Sequence, residues 1–381
     1  MNRVYLDHNA TTPLGPGVLE AMLPYLRESF GNPSSLHWFG QRARAAVEEA
    51  RGRVAALVGA DAAEIVFTAS GSESDNMALR GAVAKATHAR RSIVTTAVEH
   101  HAVLNTARAL REEGHPVAVA RVSEDGRLDL DDLQAKLDDA TLVVSVMLAN
   151  NETGALQPVA EAARLAHERG ALVHCDAVQA GGKTSVDVRA LDVDLLTLSA
   201  HKLYGPKGVG CLYVRRGTPL GPLVRGGAQE RNRRAGTENV AGVVGFGAAA
   251  ALVHEPLARD EARIAALRDR IEERLLRLPG ARRNGSGARL ANTANVSFEG
   301  IDAEALVIAL DLEGVAASTG AACAAGGIEP SHVLEAMGFP PERVQSSVRL
   351  SLGRGTTDSD VDRAADVIVA VVGRQRQAAR R

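Results

Sequence analysis

The chain has 381 residues, 45% of them hydrophobic and 24% charged, enough to bury a large core. Its formal net charge of −2 leaves no global electrostatic case for a nucleic acid or an anionic membrane as partner. Three widely spaced cysteines exclude a disulfide scaffold and a CxxC zinc site, so no resident metal is expected and the thiols read as reduced.

The N-terminal "MNRVYLDHNATT" has no apolar signal core, and no run reaches the roughly 18 apolar residues of a spanning helix. The expectation is a cytoplasmic protein. From about residue 40 to 215, helix-period segments alternate with short β-branched runs, the pattern of a mostly parallel sheet with crossover helices. "ARAAVEEARGRVAALVG" predicts a helix ending at Gly59, and "PVAEAARLAHERG" another, opened by Pro158 and stopped by Gly170. Later, "DEARIAALRDRIEERLLRLPG" predicts an amphipathic helix, while "TANVSFEG" and "SVRLSLG" predict strands. The terminal "RQRQAARR" reads as a solvated helix end.

The strands are informative where they stop. "EIVFTAS" runs into Gly71-Ser72-Glu73-Ser74, and "SIVTTAVEHH" into Glu99-His100. "TLVVSVMLANNETG" ends on Asn150-Asn151, "ALVHCDAVQ" on Asp176 and Gln179, and "DLLTLSAHK" on Ser199, His201 and Lys202. In an open parallel sheet these ends converge on the ligand edge. Ser72-Glu73-Ser74-Asp75 predicts a helix start whose free amides suit a phosphate, approached closely at Gly71. A nucleotide loop is the rival, but neither GxxxxGK[ST] nor GxGxxG follows the first strand.

A lysine, an aspartate and a helix-bound phosphate are what pyridoxal phosphate needs. The amine forms a Schiff base with the aldehyde, the carboxylate pairs with the ring nitrogen, and the amides hold the phosphate. Asp176 closes one apolar strand and Lys202 the next, so both can face one cleft. Lys207, between Gly205-Pro206 and Gly208, reads as a turn lysine. Cys175 and Cys211 lie in apolar strand runs and read as core residues. Cys323 sits in "STGAACAAGGIEP", a run of small residues that cannot pack a core, and reads as exposed and movable.

These stretches resemble the NifS-like cysteine desulfurases, among the fold-type I pyridoxal phosphate enzymes. The resemblance spans nearly the whole chain, through "YLDHNATTP", "FGNPSS", "IVFTASGSESDN", "EHHAVL", "NNETG", "HCDAVQ", "SAHKLYGPKGVG", "RAGTEN", "STGAACAAGGIEPSHVL" and "SSVRLSLGR". It implies an α/β fold with a mostly parallel seven-stranded sheet in a large domain, residues 16–256. Residues 1–15 and 257–381 are expected to form a smaller α/β domain. It implies that Lys202 carries the cofactor, Asp176 pairs with the ring nitrogen, Gln179 bonds the ring oxygen, and His100 stacks on the ring and moves protons. Gly71, Ser72, Ser199 and His201 are implied to hold the phosphate, with Thr237 of the partner subunit in a homodimer. Asn151 is implied beside ring and substrate, and Arg349, in preference to Arg354, at the substrate carboxylate, a task suited to a planar guanidinium.

The implied reaction converts L-cysteine to alanine, leaving the sulfur on Cys323 as a persulfide. That sulfur then goes to an acceptor or scaffold protein for iron–sulfur cluster or thiolated-nucleoside synthesis, with Cys323 at most a transient cluster ligand. Ala324-Ala325-Gly326-Gly327 departs from the family pattern in lacking hydroxyl residues. A selenocysteine lyase or an aminotransferase of the same fold remains open at this stage.

Overall fold

The structure is a computed structural model, in which residues 3–254, 257–319 and 330–379 are described. Cys323 lies outside the described residues. A short strand β1 (Val4–Tyr5) precedes a seven-stranded sheet made of β2 (Ile65–Thr68), β3 (Ser92–Thr96), β4 (Val117–Ala120), β5 (Thr141–Ser145), β6 (Leu172–Asp176), β7 (Leu195–Ser199) and β8 (Gly210–Val214). Then come β9 (Ala281–Arg283), β10 (Thr293–Phe298), β11 (Val315–Ala316) and β12 (Ser347–Ser351).

The main sheet runs in the order β2-β8-β7-β6-β5-β3-β4. Only β8 runs against its neighbours, β2 and β7. Two reversals cancel, so β2 points the same way as β3, β5, β6 and β7, and the five strand ends singled out above share one edge. The sheet strands β5, β7 and β8 are buried throughout, which is why they read as unbroken apolar runs rather than as alternation.

β12-β10-β9 form a second, antiparallel sheet, and β1 pairs in parallel with β11. A separate apolar cluster joins Val4 and Leu6 to Ile271, Leu306, Val348, Leu350 and Ile368. Tyr5 is followed by a turn in which His8 donates its backbone N–H to Ser351, tying the N-terminal segment to β12.

Local boundaries differ from the sequence reading at three places. The helix expected from Ser72 begins at Gly71, with Ser70 as N-cap accepting from Glu73 N, because the serine before the glycine has the extended backbone a cap requires. The strand of "TLVVSVMLANNETG" stops at Ser145, and Asn150 and Asn151 lie in the irregular segment beyond it. The helix expected to end at Gly59 ends at Leu57; Gly59 adopts φ +67°, a left-handed turn favouring glycine. The edge strand β4 was not anticipated, its four residues VAVA being too short and too exposed to show a pattern.

Candidate active site

The shared strand edge carries a cavity of about 210 Å³. Its wall includes Ser70, Gly71 and Ser72 after β2, His100 after β3, Met147 and Asn151 after β5, Asp176, Val178 and Gln179 after β6, and Ser199, His201 and Lys202 after β7. Every cofactor residue expected from the sequence except Thr237 is therefore on one wall. Thr237 lies exposed in the loop before the helix Val240–His254. That loop is tied to the Gly71 helix by the ion pair of Arg234 with Glu73, at 2.8 Å.

The helix Gly71–Val83 points its N-terminus at the cavity. Ser70 satisfies Glu73 N, leaving the Gly71 and Ser72 amides without intrahelical acceptors, as any helix start does. A Cβ at position 71 would stand 2.8 Å from Val178 Cγ2, so glycine is what keeps this wall open.

Lys202 follows β7 in a short 3-10 turn and donates Nζ to the carbonyls of Asn9, at 2.5 Å, and Ala10, at 2.8 Å. Burial, reinforced by the Arg349 charge, brings its pKa down to about 8, against the pull of Asp176 and Asp7. Near neutrality a usable fraction of this amine is uncharged and nucleophilic. Asp176 is buried and pushed up to about 6 by desolvation, opposed by the Val178 N–H on Oδ1, at 2.9 Å, and by Lys202. Lys207 is exposed in the turn containing Gly208, φ +81°.

Of the two adjacent histidines, the helix cap and the cavity residue are the same one. His100 accepts Ala102 N–H at Nδ1, at 3.1 Å, and lines the cavity. Since Nδ1 is an acceptor, the neutral ring carries its proton on Nε2. Burial and the nearby Lys202 charge lower its pKa to about 4, so it is neutral at physiological pH. His101 instead faces His332, ring centres 4.7 Å apart.

Arg349, on β12, donates Nη2 to Asp7 Oδ1 at 2.6 Å and Nη1 to the Asn151 carbonyl at 3.0 Å. Its buried Nε and the buried Asn151 Oδ1 have no hydrogen-bond partner among the described residues. Arg354 is engaged elsewhere, pairing with Asp260 at 2.7 Å and bonding the Leu252 carbonyl. The segment leading toward Cys323 is anchored at Ser318, whose backbone exchanges two hydrogen bonds with Arg349. Where the described chain resumes, Ser331 Oγ bonds Glu152 Oε2 and His332 Nε2 the Glu99 carbonyl, at 2.5 and 2.9 Å.

Cys175 and Cys211 are buried on β6 and β8 with thiol pKa values pushed up by desolvation, as befits inert core residues.

The sequence reading missed four groups. Asn9 accepts at its carbonyl from both Lys202 and Gln179; it lay inside "YLDHNATTP", but no spacing marks a backbone acceptor. Lys183 bonds Gln179 and Asn9. Asp75, fully buried, has its pKa raised by desolvation and by Asp176, and lies 3.5 Å from His174 Nε2. Glu99 is buried beside His100, its pKa raised to about 8 by desolvation. Among the described residues no cluster of three or more His, Cys, Asp or Glu could hold a metal ion, and no single helix is long and apolar enough to cross a membrane.

The aminotransferase class-V family matches residues 4–364. A cysteine desulfurase of Nostoc sp. is 49% identical over 381 residues, covering 99% of this chain and 94% of that protein. A solved NifS-like protein superposes with a TM-score of 0.92 at 38% identity, covering 97% of this chain and 99% of its own. A structure of SspA in complex with cysteine matches with a TM-score of 0.82 at 33% identity, covering 93% and 100% of the two chains. With that agreement along its length, the chain belongs to the class-V aminotransferase family, in its NifS-like cysteine desulfurase group.

Proposed function

We propose that the chain binds pyridoxal phosphate in the strand-edge cavity and uses it to take sulfur from L-cysteine, leaving alanine. The observation that carries this reading is the meeting, on one cavity wall, of an amine, a buried carboxylate and an open helix N-terminus. The buried Asn151 Oδ1, which has no hydrogen-bond partner among the described residues, and the wall opened by Gly71 support the fit.

In this reading the Gly71 and Ser72 amides, Ser199 and His201 hold the phosphate, with Thr237 of the partner subunit completing the seat in a homodimer. Lys202 is the covalent attachment point, Asp176 faces the ring nitrogen and Gln179 the ring oxygen. When bound, the cofactor supplies an electron sink for charge developing at the substrate α-carbon. Arg349 holds the substrate carboxylate, its guanidinium plane fixed by Asp7 and the Asn151 carbonyl. With substrate bound, Lys202 would take the α-proton as an uncharged amine, consistent with its pKa of about 8. His100 presents its Nε2–H to the ring and can donate a proton there.

The Cys323 thiolate then attacks the substrate sulfur. An S–S bond forms as the C–S bond breaks, the electron pair stays with the substrate carbon, and protonation there yields alanine. The anchoring of Ser318 on Arg349, and of Ser331 and His332 on Glu152 and Glu99, supports delivery of this segment to the substrate side of the cavity. The same reading divides the chain into residues 16–256 and residues 1–15 with 257–381, places the protein in the cytoplasm, and passes the sulfur to an acceptor or iron–sulfur scaffold protein.

The test is to add L-cysteine to the purified, cofactor-loaded protein and quantify products. Alanine and sulfide in equal amounts, with a reductant present, are expected. Cysteine left unconsumed, or consumed only with a keto acid present, would overturn the reading.

A further inference from the structure

Lys183 stands among cations and makes no ion pair among the described residues. Its amine is enclosed although part of the side chain reaches the surface, and among the described residues its hydrogen bonds go to neutral oxygens: Asn9 Oδ1 at 3.0 Å and Gln179 Oε1 at 2.7 Å. Gln179 Nε2 in turn donates to the Asn9 carbonyl at 2.9 Å, closing a circuit of three residues. The same carbonyl accepts Lys202 Nζ. The charged groups around the amine are Lys202 and Arg349, with His8 and His201 also in its field and Asp260 and Glu261 across a small neighbouring cavity.

A glutamine amide has an accepting end and a donating end, and nothing in its shape decides which faces a ligand. Here Lys183 and the Asn9 carbonyl, which can only accept, decide it together. Only a donor suits Gln179 Oε1 on that side, so Nε2 is turned away, one N–H to Asn9 and the other left for the cavity that Gln179 lines. Burial and neighbouring cations hold the Lys183 pKa well below its ordinary value, yet the neutral amine still has the two N–H groups the circuit uses.

We propose that Lys183 is a positioning residue: through Gln179 and Asn9 it aims an amide N–H at the ring oxygen of the cofactor. The inference rests on the cofactor reading given above. A donated N–H stabilises the anionic ring oxygen and loosens its grip on the proton of the Lys202 linkage. Losing it strengthens that grip, so the linkage holds its proton to higher pH.

The test is a pH titration of the visible band of the cofactor-loaded protein, with cofactor affinity measured alongside. Lys183→Met is expected to raise the midpoint by about one unit, the scale of one hydrogen bond to an anion. In a Gln179→Leu background it should add no further shift, because Lys183 acts through that amide. Lys183→Gln, too short to reach both acceptors, replaces Lys183→Met if the latter does not fold, with the same expectation. An unmoved midpoint, or an equal shift with and without Gln179, overturns the proposal while leaving the cofactor reading intact. A wild-type protein that shows no visible band overturns the cofactor reading, and this inference falls with it.

Discussion

Arg349 and Asp7 form an ion pair at 2.6 Å that joins β12 to the turn after β1. Asp7 occupies one end of the guanidinium and the Asn151 carbonyl another, while Nε, buried, has no partner among the described residues. The pair fixes the plane of a group whose buried Nε donor faces no acceptor among the described residues. Asp7→Asn removes the charge that holds the fork. The KM for cysteine is expected to rise on the order of tenfold, the scale of one charge-assisted hydrogen bond, with cofactor affinity little changed. Steady-state kinetics beside cofactor titration checks this, and an unchanged KM would contradict it.

Asp176→Asn keeps the shape of the side chain but removes the carboxylate from the cavity wall. Cofactor affinity is expected to fall by about 100-fold or more, as when one partner of a buried charge pair is removed. Fluorescence or absorbance titration with pyridoxal phosphate measures it. Binding as tight as in the parent chain would remove Asp176 from the ring nitrogen.

Glu99 gives the clearest pH dependence. Its carboxyl is shifted from 4.5 to about 8, chiefly by burial, so the folded chain holds a proton that the unfolded chain releases above 4.5. Stability from this group is fully present below about 4.5 and declines as pH rises toward 8. Glu99→Gln can keep the bonds accepted at Oε1 from Thr96 and Met147 while removing the ionisation. Thermal melts from about pH 5 to pH 9 are expected to show the variant gaining on the parent as pH rises. Parallel melting profiles would contradict this.

The architecture was readable because buried parallel strands are written as continuous apolar runs and their ends as abrupt polar residues. Asp176, Gln179, Ser199 and Lys202 could be assigned to one edge on that ground alone. Backbone partners and side chains distant in sequence could not. Asn9 acts through its carbonyl, and Lys183 looks like any lysine after a glycine pair until the fold places it against Gln179. Glu99, adjacent to His100, gave no sign that it would be buried. That His100 both caps a helix and lines the cavity was not legible, because two adjacent imidazoles differ only in which backbone N–H they reach.

Cys323→Ser separates sulfur transfer from cofactor chemistry. The variant is expected to bind the cofactor as the parent does and to lose sulfide release by at least about 100-fold, since a hydroxyl is a far poorer nucleophile than a thiolate near neutral pH. Sulfide production at the parent rate would remove Cys323 from the reaction.

The most direct measurement is borohydride reduction of the cofactor-loaded protein followed by peptide mapping. A reduced pyridoxyl adduct on the peptide containing Lys202, absent from Lys202→Arg, is the result this account predicts. An adduct on another lysine, or none on a protein that has bound the cofactor, would contradict it.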